Sequence, residues 1–302
     1  MISPVYALTN IPEWIKNNAA WWADGQIDDS TFVQGIQYMI KNEIISLDDD
    51  LQKSPKIYTD LVTEYFDVWV YKNDIYLEDG IPVAKEYHFG LKEELTELYQ
   101  EIGILNQKIK VLVILPIFTS SAYGDNGFYD YYLEICDSCH ITKIVKNDFL
   151  EFFTASQLGA KVLQTLGYES MTDVDIDKNP KILETYDTII VLHNEYVTRA
   201  MFDAITQHQN VIYLYPNALY AEIDVNYEKN EISLIRGHGY PNSEISNGFD
   251  WEYDNTRPYE YDETCLDWEF YDIPNGKMLN CYPEKIIVSD IELLKKIKEL
   301  SG

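Results

Sequence analysis

The chain has 302 residues, 46% of them hydrophobic, with 51 acidic and 23 basic side chains and a formal net charge of −28. The apolar fraction excludes an intrinsically disordered chain. The negative charge makes nucleic acid and anionic membranes unfavourable partners, because like charges repel. No stretch approaches the roughly 20 apolar residues of a transmembrane helix. The charge itself suits solubility, and carboxylate counts do not separate this from divalent-cation binding or adaptation to salt.

The first residues are predicted to be the end of a signal peptide. The segment Ser3–Ala7 ends in a small residue, as a cleavage site does. We therefore expect residues 1–7 to be a signal-peptide remnant of a longer precursor. This places the protein outside the cell or at its surface.

Residues 8–50 are predicted to form a helical hairpin. Pro12 falls in the first turn of its first helix, Gly25 ends that helix, and a second helix begins near Asp28. The core of this segment, IPEWIKNNAAWWADGQI, resembles a helical module of exported archaeal proteins. The resemblance implies attachment or spacing at the cell surface rather than catalysis.

Residues 57–302 are predicted to form one α/β domain. Continuous apolar runs are typical of strands buried on both faces, and amphipathic helical patterns lie between them. This succession predicts a doubly wound, mostly parallel sheet of the flavodoxin-like or amidotransferase-like kind. The predicted elements, in chain order, are a hairpin at 62–77, a strand at 111–115, a helix from Ser156, a strand at 188–192, a helix capped by Thr198, a strand at 211–214, a hairpin at 222–236, a strand at 286–288 and a helix from Asp290.

The four cysteines, Cys136, Cys139, Cys265 and Cys281, permit three pairings. We favour the two local pairs, Cys136–Cys139 and Cys265–Cys281, and such disulfides again indicate an exported protein. The run from Cys136 to His140 also has the form of a c-type haem attachment motif. We predict a small disulfide loop there instead of a haem site, because no haem-sized apolar pocket is evident around it.

Three polar and aromatic segments follow the predicted strands, at residues 118–131, 193–196 and 215–222. In open parallel sheets, ligands bind beyond the carboxyl ends of the strands. The three segments are therefore expected to converge on one crevice.

These segments contain the sequences TSSAY at 119–123, HNEY at 193–196 and PNALY at 216–220. In that order they resemble three motifs in the C-terminal domain of the large subunit of N,N-dimethylformamidase, a domain related to class I glutamine amidotransferases. The resemblance covers about half of the α/β domain. It implies amide hydrolysis by an iron held by two tyrosinates and one glutamate, with a histidine beside it.

By this resemblance, Tyr123 and Glu195 are metal ligands, and His193 and Glu195 are the catalytic residues, with His193 transferring a proton. The second tyrosine ligand is left open among Tyr129, Tyr131 and Tyr220. Oxygen ligands of this type suit a hard ferric ion.

We assign Asn217, Tyr220 and His238 to substrate binding. The place of the amidotransferase nucleophile holds Asn217 rather than a cysteine or serine, which argues against a glutaminase-type reaction. The function expected is therefore that of an exported metal-dependent amide hydrolase. The alternative is a non-catalytic surface protein that uses the same fold to bind a small molecule, glycan, peptide or other protein.

Overall fold

The computed structural model describes residues 21–22, 24–28, 31, 51–53, 64–78, 81–84, 86–105, 107–145, 156–253 and 265–302. The chain divides into two compact units, residues 1–53 with 70–86 and residues 54–69 with 87–302. The predicted signal-peptide remnant, residues 1–7, and most of the predicted hairpin, residues 8–50, lie outside the described residues.

The described strands are β1 (Leu51–Lys53), β2 (Phe66–Tyr71), β3 (Ile75–Glu78), β4 (Ile81–Ala84), β5 (His88–Leu91), β6 (Val111–Leu115), β7 (Ile141–Lys143), β8 (Glu169–Thr172), β9 (Thr188–Val191), β10 (Tyr196–Val197), β11 (Val211–Tyr213), β12 (Ala221–Asn226), β13 (Glu231–Arg236), β14 (Phe270–Ile273) and β15 (Gly276–Leu279). The described α-helices are α1 (Thr96–Ile102), α2 (Ile117–Tyr123), α3 (Phe128–Tyr132), α4 (Gln157–Thr165), α5 (Asp173–Lys178), α6 (Arg199–Gln207) and α7 (Ile291–Ser301). Short 3-10 helices cover Lys72–Asp74, Glu93–Leu95 and Pro180–Thr185.

In the first unit, Trp21 and Trp22 are helical, and Gly25 follows with a φ of 70°. The N–H of Thr31 donates to the carboxylate of Asp28. Strands β3 and β4 form an antiparallel pair. The predicted hairpin at 62–77 is therefore wrong, because β3 pairs with β4 and not with β2, and a 3-10 helix separates β2 from β3.

The central sheet of the second unit confirms the α/β class. Its strand order is β14-β15-β11-β9-β6-β8, in which every neighbouring pair is parallel except β14 with β15. The three predicted apolar strands are β6, β9 and β11, which lie side by side. All residues of β9 and β11 are buried, as expected for strands covered on both faces.

A second sheet has the order β10-β12-β13-β7, in which β10 is parallel to β12. Its strands β12 and β13 are antiparallel and confirm the hairpin predicted at 222–236. The chain therefore passes from the central sheet to this second sheet at Tyr196, immediately after residues 193–195.

The predicted strand at 286–288 is wrong. Residues 284–289 form turns, and the sheet position beside β11 is taken by β15. Ile287 and Val288 are fully buried, so their apolar character reflects burial rather than strand pairing. The first residue of β15 must be a glycine, because a Cβ on Gly276 would lie 1.8 Å from the carbonyl oxygen of Val211.

Two helices begin at the predicted caps. The Thr198 side chain accepts a hydrogen bond from the N–H of Met201 at the start of α6, and Asp290 does the same for Leu293 in α7. These bonds satisfy N–H groups that have no partner within the helix.

Replacing Thr198 by alanine should lower the free energy of unfolding by about 1–2 kcal/mol, because α6 loses its cap. The Thr198 hydroxyl also donates to Asp177, which would lose that partner. Urea unfolding followed by circular dichroism measures the change. In the control variant Thr206→Ala, the lost hydroxyl bonds only to backbone carbonyls of the same helix, and about 0.5 kcal/mol or less is expected. Equal losses in the two variants would contradict the capping role.

Both predicted disulfides are present. Cys136 is bonded to Cys139 and Cys265 to Cys281, with Cα–Cα distances of 5.4 and 5.5 Å. These bonds are consistent with an extracellular protein. Among the described residues, no helix has the length and apolar character required to cross a membrane.

Candidate functional site

The candidate site is formed where α2 and the segment after β9 meet. The sequence predicts a polar segment after β6, and the structure shows that it begins as helix α2, which ends at Tyr123. The buried Thr119 hydroxyl in α2 accepts hydrogen bonds from the backbone N–H groups of Glu195, at 3.0 Å, and Tyr196, at 3.3 Å. These bonds fix the main chain that carries Glu195 against the helix that carries Tyr123.

Three oxygen-bearing side chains, Tyr129, Tyr123 and Glu195, form a continuous chain that we call the oxygen cluster. The Tyr129 hydroxyl donates to the Tyr123 hydroxyl at 2.6 Å, and the Tyr123 hydroxyl donates to Glu195 Oε2 at 2.9 Å. The two tyrosine rings stack with centroids 4.1 Å apart. Glu195 is only 1% exposed, so its carboxylate is screened from bulk water.

Two histidines lie beside the Glu195 carboxylate. His238 Nε2 is 2.5 Å from Oε1, and His193 Nε2 is 3.6 Å from Oε2. Burial acts to raise the pKa of Glu195, but the hydrogen bond and charge of His238, the charge of His193 and the Tyr123 hydroxyl outweigh it and hold the pKa below its ordinary value. Glu195 is therefore an ionised carboxylate at neutral pH.

The pKa of the Tyr123 hydroxyl is shifted in the opposite direction to that of Glu195. Burial raises its pKa far above the ordinary value, and the nearby charge of Glu195 raises it further. A phenolate at this position is therefore unfavourable unless a cation lies beside it.

His238 reaches Glu195 from the loop that follows β13. Gly237, His238 and Gly239 have consecutive positive φ angles of 122°, 50° and 78°. A Cβ on Gly237 would lie 2.9 Å from the Cβ of Ala221, so a glycine is required at this close approach. The loop is closed by a hydrogen bond from the His238 N–H to the Ser246 carbonyl.

The His238 ring is surrounded by three tyrosines. Its centroid lies 5.2 Å from that of Tyr132, 5.7 Å from that of Tyr196 and 4.5 Å from that of Tyr220. The Tyr196 ring is nearly parallel to the imidazole, with 22° between the planes. The three tyrosine rings therefore fix the position of the imidazole beside Glu195.

His193 is 4% exposed and lies between Glu195 and Asn217. Asn217 Nδ2 is 2.9 Å from His193 Nε2. The other end of the amide, Oδ1, is buried and has no hydrogen-bond partner among the described residues. Whichever way the amide is oriented, one polar end of Asn217 has no hydrogen-bond partner among the described residues.

The structure brings together the residues that the sequence assigns to the site. Tyr123 and Glu195 are hydrogen-bonded, His193 and His238 flank the carboxylate, Asn217 contacts His193, and Tyr220 contacts His238. The three tyrosines predicted as alternatives for the second ligand have different contacts. Tyr129 is hydrogen-bonded to Tyr123, Tyr220 packs on His238, and Tyr131 packs on His140 and Tyr240.

Sequence reasoning missed Thr119, Tyr132 and Tyr196 as parts of the site. Tyr132 and Tyr196 hydroxyls are 3.3 Å apart, and both rings contact His238. Thr119 and Tyr196 belong to the TSSAY and HNEY segments, but nothing in those segments shows which side chains point inward. Tyr132 differs from its neighbour Tyr131 only by its position on α3.

The oxygens of the oxygen cluster are separated by hydrogen-bond distances of 2.6 and 2.9 Å. Neighbouring oxygens around an octahedral ion at about 2.0–2.1 Å are about 2.8–3.0 Å apart, so the Tyr123–Glu195 distance falls in that range and the Tyr129–Tyr123 distance is shorter. Among the described residues, no group of three or more His, Cys, Asp and Glu side chains is arranged to hold a metal. A metal here would thus be held by tyrosines together with Glu195.

A cavity of about 730 Å³ lies against one side of the oxygen cluster. Tyr123, Asn126, Cys139 and Lys143 are in its wall, whereas Glu195, His193 and His238 are not. The cavity therefore reaches the cluster from the Tyr123 side.

Comparison of the chain with known proteins gives no family. No protein-family model matches it, and no curated protein matches it. The geometry of the site is thus the main ground for a functional proposal.

Proposed function

We propose that the second unit is a metal-dependent amide hydrolase, with Tyr123, Tyr129 and Glu195 as ligands of an iron ion. The observation that carries this proposal is the oxygen cluster, in which two phenol oxygens and an ionised, buried carboxylate are joined by hydrogen bonds of 2.6 and 2.9 Å. The resemblance to the N,N-dimethylformamidase domain supports the same ligand types. A doubly wound, amidotransferase-like topology of the central sheet is part of this proposal.

When bound, ferric iron would supply Lewis acidity that polarises an amide carbonyl and activates water. The positive charge would also favour the phenolate form of Tyr123, which burial otherwise opposes by raising its pKa. His238 holds Glu195 Oε1, which leaves Oε2 directed at the tyrosines. Outer contacts of this kind orient ligating carboxylates in metal sites.

His193 is proposed to move the proton. Its Nε2 lies 3.6 Å from Glu195 Oε2 and therefore beside the proposed ligands. There it would accept a proton from the water that attacks the amide carbon and return it to the nitrogen that leaves. Asn217 is proposed to bind the substrate amide, because one end of its side chain is buried beside His193 without a partner. Tyr220 and His238, whose ring centroids are 4.5 Å apart, are the other residues proposed to bind the substrate.

Metal content tests the proposal. Protein purified without a metal-affinity tag and supplied with iron during folding should retain about one iron per chain, measured by elemental analysis. Tyr129→Phe should lower iron affinity at least about tenfold, because one of its ligands is lost. The matched control Tyr131→Phe changes a tyrosine of the same helix that packs on His140 and Tyr240, and it should keep full affinity.

Iron uptake in the wild type that is lost in Tyr129→Phe but kept in Tyr131→Phe would justify a screen of small amides. A wild type that binds no iron would reject the metal site and leave the non-catalytic binding protein as the remaining function. Iron binding that is equal in all three proteins would place the metal elsewhere.

We also propose that the protein is secreted or held at the cell surface. The two disulfides support this, because such bonds persist in oxidising compartments. Detection of the native chain only in the cytoplasmic fraction would reject it.

A further inference from the structure

Glu284 is a buried acid that the proposed chemistry does not use. Its side chain is 0% exposed. Its Oε1 accepts a hydrogen bond from the Leu158 N–H at 2.6 Å, and its Oε2 accepts one from the Tyr215 hydroxyl at 2.8 Å. The carboxyl group thus joins the first turn of α4 to the segment that follows β11.

Tyr215 connects Glu284 with His193. Tyr215 is 1% exposed, and its ring is nearly parallel to the His193 imidazole, with centroids 5.0 Å apart and 16° between the planes. Tyr282 lies edge-on to both rings, at 5.8 Å from His193 and 5.6 Å from Tyr215. Because Glu284 holds the hydroxyl, the Tyr215 ring has a defined place against one face of the imidazole.

The backbone of His193 is fixed at the same place. Its N–H donates to the Ser156 hydroxyl at 2.9 Å, and Ser156 directly precedes α4. Glu284 bonds to the first turn of that same helix. The main chain of His193 is therefore held by Ser156, just before α4, and its ring packs on Tyr215, whose hydroxyl donates to Glu284.

We propose that Glu284 and Tyr215 are positioning residues that hold the His193 imidazole toward Glu195 and Asn217. The value of this orientation for catalysis rests on the proposed function. The orientation itself is a property of the chain without metal or substrate. A rigid imidazole matters because proton transfer requires the donor and acceptor atoms within hydrogen-bond reach.

The test is ¹⁵N and ¹H NMR of the full chain labelled at histidine and prepared without added metal. His193→Gln identifies the His193 signals among the five histidines. In the wild type, the carbon-bound ring protons of His193 should be shifted upfield, because they lie over the face of Tyr215. Tyr215→Phe and Glu284→Gln keep the side-chain shapes but alter the hydrogen bond from the Tyr215 hydroxyl to the Glu284 carboxyl group. Each variant should shift and broaden the His193 imidazole signals.

Tyr213→Phe is the matched control. Tyr213 is also buried and also loses a hydroxyl bond, to Asn275, but its ring packs on Trp251. It should leave the His193 signals unchanged, so a general loss of stability would not reproduce the result.

Unshifted His193 protons in the wild type would overturn the proposal without any variant. His193 signals that stay unchanged in Glu284→Gln would also overturn it, and would leave Glu284 as a cap of α4 only. If Tyr215→Phe does not fold, Glu284→Gln decides the question. The metal measurement is independent, so a chain without iron but with the expected NMR result would reject only the proposed function.

Discussion

Between pH 5 and pH 9, the wild type should lose on the order of 4 kcal/mol of unfolding free energy relative to Glu284→Gln. Burial raises the pKa of Glu284 from 4.5 to about 8, and the hydrogen bonds from Leu158, Tyr215 and Gly159 offset only part of this effect. The folded chain therefore keeps a proton on Glu284 over a pH range in which the unfolded chain has released it.

The direction of the change follows from this difference in pKa. Below about pH 4.5 Glu284 is protonated in both the folded and the unfolded chain, and its contribution to the unfolding free energy is largest. As the pH rises from there toward 8, Glu284 ionises in the unfolded chain first, and this lowers the unfolding free energy. Glutamine carries no ionisable group at this position, so the unfolding free energy of Glu284→Gln lacks this dependence on pH. Urea unfolding of both proteins at several pH values gives the difference in unfolding free energy. A difference that is constant from pH 5 to pH 9 would mean that Glu284 ionises freely in the folded chain.

Replacing His238 by alanine should lower the unfolding free energy by about 3 kcal/mol, because the buried, ionised carboxylate of Glu195 loses a hydrogen-bond partner. The side chain of Glu195 is 1% exposed and that of His238 is 25% exposed, so the destabilisation arises at the buried carboxylate. The three tyrosines around His238 would also lose their contacts with its ring.

A double-mutant cycle separates the charge effect from the lost packing. In Glu195→Gln the charge is absent, so adding His238→Ala to it should cost at least about 1 kcal/mol less than His238→Ala alone. His140→Ala is the control, since His140 bonds to a backbone carbonyl of Asp137 and stacks on Tyr240. It should cost about 1 kcal/mol or less. Additive effects of the first two changes would contradict an energetic coupling between His238 and Glu195.

The parts of the fold that could be predicted are those set by local signals. The apolar runs of β6, β9 and β11 and the caps Thr198 and Asp290 each act within a few residues, and the structure confirms them. The strand predicted at 286–288 failed because a buried apolar run satisfies burial equally well in a turn. β15 could not be predicted, since its pairing with β11 depends on the close approach at Gly276.

Prediction of the candidate site from the sequence is limited in the same way, to what local patterns determine. The placement of Tyr123 and Glu195 at one edge of the sheet followed from the order of strands and segments, and they are hydrogen-bonded. The choice of Tyr129 over Tyr131 depends on which face of the short helix α3 points at Tyr123, and five residues are too few for a periodic pattern to decide. The link from Glu284 to Tyr215 crosses 69 positions in sequence, and no local pattern carries it.

The loop of positive φ angles that carries His238 has a consequence for the order of folding. The bond between His238 and Glu195 spans 43 positions, and Glu195 bonds in turn to Tyr123, 72 positions away. Contacts between such distant parts of a chain require large loops to close, and they form slowly. Local caps such as Thr198 and Asp290 can close within their own helices long before this. The oxygen cluster and its contact with His238 are thus complete only when the two sheets have packed together. Partly folded chains would lack the bond between His238 and Glu195 and the hydrogen bonds of the cluster.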